Sequence, residues 1–569
     1  MKRKLVLMLA AAMVIGSLAG CGNSGSRNND SGNSGEATGN SSINMDEEVD
    51  PRFKYDEPVT LTSYFEISPA IMDDWDQEEA MNSVYYNRMK EETNISIDWL
   101  WYAANTADDS QQKKSVAIAS GEIPDFMLVN SAQLSLLAKS DLINRDIGKI
   151  FEKYASEELW GWTTSEGTAA LESATYGGDV IAIPLLTSSL DQLPVLWIRR
   201  DWMEKLNLEM PETMEDLYSV MIAFRDQDPD GNGKDDTIGM VFHNNFLSKG
   251  LGDAVGLFNG FGAYPTIWVD DGTGKLQYGS AMEESKAALD YIAKMYQEGL
   301  IDTDFSSNDE VKASEAAASG RAGIQYGLMW NANWPLNATV ENDINADWVT
   351  IPIPSATGSP AKTQTALSLE DGGGYVVVSK NCEHPEAVVR MLNFWVDKFA
   401  FSGEERNEYM VEDSSGIMSF PRHWVMLKTG DPLMNLNNSN QVAKALETND
   451  SSILNEEQMV YYDDIQKYLS GDIIGGYGSM KTFGNDMSAF QTINYYYDNQ
   501  LYVMDEFTTG PTQTMGQKMS TVTDKVMEYY TKVIMGIEST DSFDDFLQEL
   551  NTLGLDKITE ELNEWYTSK

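Results

Sequence analysis

Twice along this chain, segments with apolar residues at every second position give way to segments with apolar residues at helical spacing. No disulfide is available to staple the result, because the 569 residues hold only two cysteines. Residues 59–65 (VTLTSYF) are rich in β-formers. Met81, Val84, Tyr85 and Met89 then repeat at helical spacing, and Ile95, Ile97, Trp99 and Trp101 alternate as in a strand. A short helix over 113–119 stops at Gly121, residues 126–129 form an apolar run after Pro124, and 134–138 begin another helix. The pattern restarts with a strand over 194–198 and a helix over 200–208. Thr213 and Asp216 stand at capping-box spacing before a helix to about Arg225, and Ser280 and Glu283 stand likewise before a helix that Gly299 ends. Residues 322–327 and 375–378 are strand-like, and 458–469, 515–535 and 543–553 are helical. Such alternation predicts an α/β fold with mostly parallel sheets and a helical C-terminal part.

The amino terminus carries an address. Lys2, Arg3 and Lys4 precede an apolar run over 5–15, and Leu18-Ala19-Gly20-Cys21 follows. This order makes residues 1–20 a secretory signal. It resembles the bacterial lipoprotein signal, which implies lipid on Cys21 and a protein held on the outer face of the cell membrane. The apolar run is too short to span a bilayer, which takes roughly 20 residues. Gly, Ser and Asn dominate 22–42, so 21–57 is read as a flexible tether ending near Pro58. About 30 residues of such chain reach roughly 30 Å. With Cys21 lipidated, Cys382 has no partner, and stability rests on apolar cores alone, for which the chain is long enough.

Without the signal, 37 basic residues face 89 acidic ones, a net charge near −52. A surface so negative excludes nucleic acid as a partner and disfavours anionic lipid and polyanionic solutes. Catalytic signatures are missing. The three histidines, His243, His384 and His423, are far apart, no Gly-x-Ser-x-Gly occurs, and Asp371-Gly372-Gly373-Gly374 lacks the Lys-Ser/Thr of a phosphate loop. With 89 acids, no single pair of carboxylates singles out a glycosidase.

Two features invite ligands. In residues 226–236 (DQDPDGNGKDD), oxygen-bearing side chains recur at alternate positions, and Gly231 and Gly233 permit tight turns. That donor set suits Ca²⁺, although no Glu closes an ordinary twelve-residue EF-hand loop. The second feature is aromatic. Most of the 14 Trp and 26 Tyr must be core, including Trp99, Trp101, Trp197, Trp202, Trp268 and Trp395. Trp330 and Trp334 differ, because they lie among Asn and Pro just past a strand end. Tyr64, Asn130 and Tyr375 also sit at strand ends, where ligands collect in open α/β sheets.

Several segments together resemble the extracellular solute-binding lipoproteins of bacterial ABC-type carbohydrate importers. They are Ala119-Ser120-Gly121-Glu122-Ile123-Pro124-Asp125, Leu196-Trp197-Ile198-Arg199-Arg200-Asp201-Trp202, the 228–236 loop, Gln297-Glu298-Gly299-Leu300-Ile301-Asp302, and Val378-Ser379-Lys380-Asn381-Cys382. The resemblance implies a two-lobed, periplasmic-binding-protein-like α/β fold with the ligand in the cleft between lobes. Lobe I would be 58–190 with about 366–400, and lobe II 191–365 with about 401–569. It further implies Asp228, Asp230, Asn232, the Lys234 carbonyl and Asp236 as calcium ligands, with Thr237 standing where the family usually has a further acid. Trp330 would stack on sugar, with Trp334, Tyr64, Tyr375 and Asn130 as neighbours. The implied function is capture of a neutral or weakly charged oligosaccharide by a monomer, for delivery to permease subunits served by a separate ATPase. A peptide or other small solute, or a lipid-anchored glycoside hydrolase, are the alternatives.

Overall fold

The computed structural model describes residues 45, 47–67, 77–104, 108–370, 373–399, 409, 411–412, 418–419 and 425–568. Cys21, the signal, the Gly/Ser/Asn stretch, Asp371, Gly372 and His423 lie outside the described residues. Residues 50–55, read above as the end of the tether, are bound to the helix Glu386–Phe399. Arg52 pairs with Asp397 at 2.8 Å, Arg390 donates to the Phe53 carbonyl, and the Tyr55 hydroxyl donates to Glu386. Bulky side chains here, unlike the glycines and serines before them, have surface to bury.

Among the described residues, the two largest apolar clusters are each built on a three-stranded sheet. The smaller is built on the strand Tyr375–Val378, which lies between Phe126–Val129 and Ile183–Pro184 and runs antiparallel to both. Beside it, Val59–Ile67 and Ile95–Ala104 pair in parallel. The larger cluster is built on Val195–Arg199, whose five residues are all buried. It runs antiparallel to Ile324–Gly327 on one side and to Trp348–Ile351 on the other. The expectation of mostly parallel sheets is thus corrected: both three-stranded sheets are antiparallel. Alternation predicts parallel pairing only when successive strands are neighbours. Here each sheet recruits a strand from more than a hundred residues away, and direction follows from where the chain re-enters.

The segments between the clusters run side by side. Thr187 N–H donates to the Ser368 carbonyl, Glu370 N–H to Leu185, and Gly430 N–H to Leu186 at 2.7 Å, while the Thr365 hydroxyl reaches the Ser189 carbonyl. Three passages of chain, near 187, 367 and 430, therefore form a hydrogen-bonded neck.

Local readings fared unevenly. The Thr213–Asp216 capping box is present at the helix Met214–Asp226, and Phe543–Leu553 is helical over its expected span. Ser280 does not cap Glu284–Gln297; its hydroxyl accepts from Thr266 N–H, fixing an adjoining loop. Trp197, Trp202, Trp268 and Trp395 are buried, whereas Trp99 and Trp101 are only half-buried. Helices Met434–Thr448, Ile473–Phe483, Ala489–Asp498 and Leu555–Tyr566 were not anticipated.

The C-terminal helices are locked to the larger sheet by charge. Arg200 grips Asp486 through both terminal nitrogens at 2.9 and 2.8 Å and reaches Asp347 through Nε. Lys481, fully buried, donates to the other oxygen of Asp347. Thr350 adds hydrogen bonds to the Met487 and Ser488 carbonyls.

Acids are concentrated at the neck. Ser189 donates to Glu166, and Asn435 to Asp191. Burial raises the Glu166 carboxyl to about 7 and Asp191 to about 6. A carboxyl raised above its unfolded value of 4.5 supports the fold below that value and loses the contribution as pH climbs through the folded value. Melting temperature is therefore expected to fall from about pH 5 to about pH 8, and Glu166→Gln to flatten part of that fall. Calorimetric scans of both proteins across the range test this, and an identical slope would exclude Glu166 as a source.

Candidate functional site

The strand Ile324–Gly327 ends where a side chain has no room: a Cβ on Gly327 would stand 1.9 Å from Asn331 Oδ1. The chain then winds through the short turn Met329–Ala332. Buried Asn331 fixes that turn, accepting from Gln325 Nε2 at 2.9 Å and donating to the Gly250 carbonyl, which also accepts Leu328 N–H. Trp197 Nε1 donates to the Leu328 carbonyl from the central strand. On this anchored turn Trp330 is half-buried and Trp334 is 42% exposed. Their rings are near parallel, at 11°, with centroids 6.2 Å apart. Aromatic surface held rigidly in water loses little entropy on gaining a flat apolar partner.

Beside the turn, between the helices Leu336–Asn342 and Ile473–Phe483, a cavity of ≈ 230 Å³ is lined by Asn333, Asn337, Glu341, Asp464, Tyr477 and Ser479 among others. Its lining is mainly polar and rich in amide and hydroxyl groups. Lys249, which the sequence did not single out, immediately precedes the Gly250 carbonyl that anchors the turn, and burial lowers its pKa against the opposing charges of Asp505 and Asp253.

The other expected site residues lie in the smaller cluster. Tyr64 is buried, stacked on Trp101 at 4.4 Å, and Tyr375 is buried within the central strand, where burial raises its hydroxyl to about 12. Tyr375 pairs with Val129, so Asn130 is adjacent in the sheet. Asn130 is exposed, and its side chain caps the helix Ser131–Leu137 through Gln133 N–H at 2.9 Å. The structure therefore groups Trp330 with Trp334, and separately Tyr64, Tyr375 and Asn130. In the second group the two tyrosines carry packing, and the asparagine, read as a strand end, caps the helix that follows.

In the 228–236 loop, Gly231 and Gly233 take the left-handed backbone the tight turns require, at φ 75° each. Asp230, Asn232 and Asp236 converge, but around the Asn232 amide, which donates to Asp230 at 2.6 Å and to Asp236 at 2.9 Å. Asp228 Oδ2 accepts Gly233 N–H, and its Oδ1 is buried with no hydrogen-bond partner. Burial, with the Asp228 and Asp236 charges, pushes the Asp230 carboxyl up. Among the described residues, no three His, Cys, Asp or Glu side chains converge closely enough to hold a metal. The donor set and the orphaned Asp228 oxygen nonetheless match the chemistry of a hard cation, which would neutralise this repulsion.

The family model for bacterial extracellular solute-binding proteins matches residues 73–398, more than half of the chain. The chain belongs to this family. Lipoprotein LipO of Bacillus subtilis is 26% identical over 495 residues, covering 84% of this chain and 87% of LipO. Among solved structures, an HMO-binding, ABC-transporter-associated solute-binding protein of Bifidobacterium longum infantis superposes with a TM-score of 0.62 at 16% identity, covering 90% of this chain and 99% of that one. An EF-hand mutant of the Streptococcus pneumoniae substrate-binding protein FusA, in complex with fructo-nystose, gives 0.53 at 18%, covering 90% and 99%. The fold is thus the two-lobed architecture of binding proteins. This solute-binding protein has, among its described residues, no helix long and apolar enough to cross a membrane.

Proposed function

We propose that this solute-binding protein captures an oligosaccharide outside the cell and hands it to the permease subunits of an ABC importer, without catalysing a reaction. The observation that carries the reading is the Trp330–Trp334 pair, with large aromatic surface presented on a rigid turn beside a polar cavity. Aromatic faces take the apolar faces of sugar rings while amides and hydroxyls take the hydroxyl groups. That HMO and fructo-nystose are bound by proteins of the same fold supports a sugar over a peptide. Lobe I comprises 58–190 and about 366–400, and lobe II 191–365 and about 401–569. The two clusters and the neck favour that division. The protein acts as a monomer. Trp330 is the principal stacking residue, with Trp334 and exposed Asn130 as candidate neighbours; Tyr64 and Tyr375, the remaining candidates, are buried in the packing of the smaller cluster.

Ca²⁺ is a structural ion in this reading, held by Asp228, Asp230, Asn232, the Lys234 carbonyl and Asp236. The EF-hand named in the FusA mutant points the same way. Cys21 carries the lipid, in keeping with the lipoprotein name of LipO.

Calorimetric titration with kestose, maltotriose, xylotriose and trigalacturonate, with chromatography of the mixtures afterwards, tests the main reading. It expects stoichiometric binding of one of them with no product; turnover would make the protein a hydrolase. Trp330→Ala is expected to keep its melting temperature and lose roughly thirtyfold in affinity, about 2 kcal/mol. Unfolding would assign Trp330 to the core, and unchanged affinity would remove it from the site. Chelation should lower the melting temperature of the wild type but not of Asp230→Ala, because an ion bound only by the folded state stabilises by mass action; a melt indifferent to chelator would end the calcium assignment. Cys21→Ser should move the protein from the membrane fraction to the medium, and retention would place the anchor elsewhere.

A further inference from the structure

Gly510 makes a contact between the two large apolar clusters that belongs to none of the three neck passages. On either side of it the chain is fixed to the larger cluster. Asp505 Oδ1 accepts the N–H of buried Trp268 at 3.1 Å, and Phe507 packs edge-on against Trp565 with centroids 5.4 Å apart. Thr512 caps the helix Gln513–Ile534, whose Val522 and Val526 lie in that cluster. Gly510 itself is buried against the smaller cluster. Its N–H donates to the Tyr176 hydroxyl at 3.3 Å, and that hydroxyl shares a hydrogen bond of 2.9 Å with Ser135. Tyr176 packs against the smaller cluster, and Ser131 and Ser135 stand on the helix Ser131–Leu137, which buries Leu134 and Leu137 in it. The approach leaves no room for a side chain. A Cβ on Gly510 would stand 2.2 Å from Ser135 Oγ, 2.5 Å from the Ser131 carbonyl oxygen and 2.8 Å from the Tyr176 hydroxyl. The serine hydroxyl can turn away, but the carbonyl belongs to the backbone of a helix. The glycine answers to this close approach and not to conformation, because its φ is outside the left-handed region.

Lobes joined by a neck can turn about it only if the contacts between them outside the neck make and break. The Gly510 contact is built to do so, being one long hydrogen bond and a close fit of surfaces. It abuts Ser131, the residue after exposed Asn130, and so borders a candidate neighbour of the solute. It also lies close to the pivot, since the strand Tyr502–Met504 pairs with Thr363–Thr365, which leads into the neck passage near 367. A wedge near a pivot is magnified further out, so one methyl group here would hold the lobes apart where a solute lies between them. We propose that Gly510 seats a latch between the lobes: lacking a side chain, it lets them close onto the Ser131 carbonyl and the Tyr176 hydroxyl around a captured solute, and the contact parts for entry and release. Residue 510 thereby sets the fraction of closed protein, and with it the apparent affinity. This rests on the capture reading above, to which it adds the closing contact.

The test compares wild type, Gly510→Ala and Gly510→Val as full chains, with whichever of kestose, maltotriose, xylotriose and trigalacturonate binds the wild type most tightly in calorimetry. Gly510→Ala is expected to weaken binding about tenfold, through a smaller closed fraction, and to keep its solute-free melting temperature. Gly510→Val should weaken binding further. In small-angle scattering both variants should keep a larger radius of gyration than the wild type, with and without the sugar. Wild-type affinity in both variants, with Trp330→Ala still impaired, overturns the latch alone. A lowered melting temperature at unchanged affinity also overturns it, because static packing behaves that way. If none of the four sugars binds the wild type, the oligosaccharide reading falls and scattering decides the latch: a larger radius in Gly510→Ala supports it, and an equal radius overturns it.

Discussion

The structure hinges on a guanidinium. Arg200 is the first residue after the central strand Val195–Arg199, and its planar fork meets Asp486 bidentately while Nε reaches Asp347. Lys481 approaches Asp347 from the far side with no exposed surface. Hydrogen bonds between formal charges are about twice as strong as neutral ones, and the bidentate form also fixes orientation. The network therefore sets the direction in which the C-terminal helices leave the sheet. Removing one partner of a buried pair typically costs about 3–5 kcal/mol, because the remaining charge has no water to fall back on. The Arg200 fork itself is a quarter exposed, so its own share is smaller than that of Lys481.

From that fixed sheet the site follows in steps. Trp197, on the same strand, donates to the Leu328 carbonyl, and Asn331 clamps the following turn to Gly250. The helix Ile473–Phe483, held through Lys481, supplies the opposite wall of the polar cavity beside Trp334. Sheet, helix and turn are thus braced on one another, and the indole rings inherit their position from charges two elements away.

Elements whose information is local were legible in the sequence. The buried run Val195–Arg199, the Thr213–Asp216 box and the amphipathic Phe543–Leu553 each carry their own signal. The two left-handed glycines of the 228–236 loop were equally plain. What escaped depends on distant neighbours. The helix Ile473–Phe483 contains three glycines, poor helix formers, and a Cβ on Gly476 would come within 2.1 Å of the Asp464 carbonyl oxygen. Its glycines answer to packing against another helix, which periodicity cannot register. Tyr64 was read as a strand end but lies inside Val59–Ile67, and Tyr375 opens Tyr375–Val378; both are buried because of what covers them, here Trp101 and the rest of the smaller cluster.

The neck near residues 187, 367 and 430 bears on inheritance as well as on shape. Because the backbone passes through it three times, neither of the two large apolar clusters is drawn from one uninterrupted stretch of coding sequence. Tyr375 and Val129, neighbours in one sheet, are separated in the chain by all three strands of the Val195 sheet. A recombination event with a single breakpoint between 190 and 400 would therefore never transplant one cluster free of residues from the other. A chain nicked in one of the three passages would still be held by the hydrogen bonds of the other two.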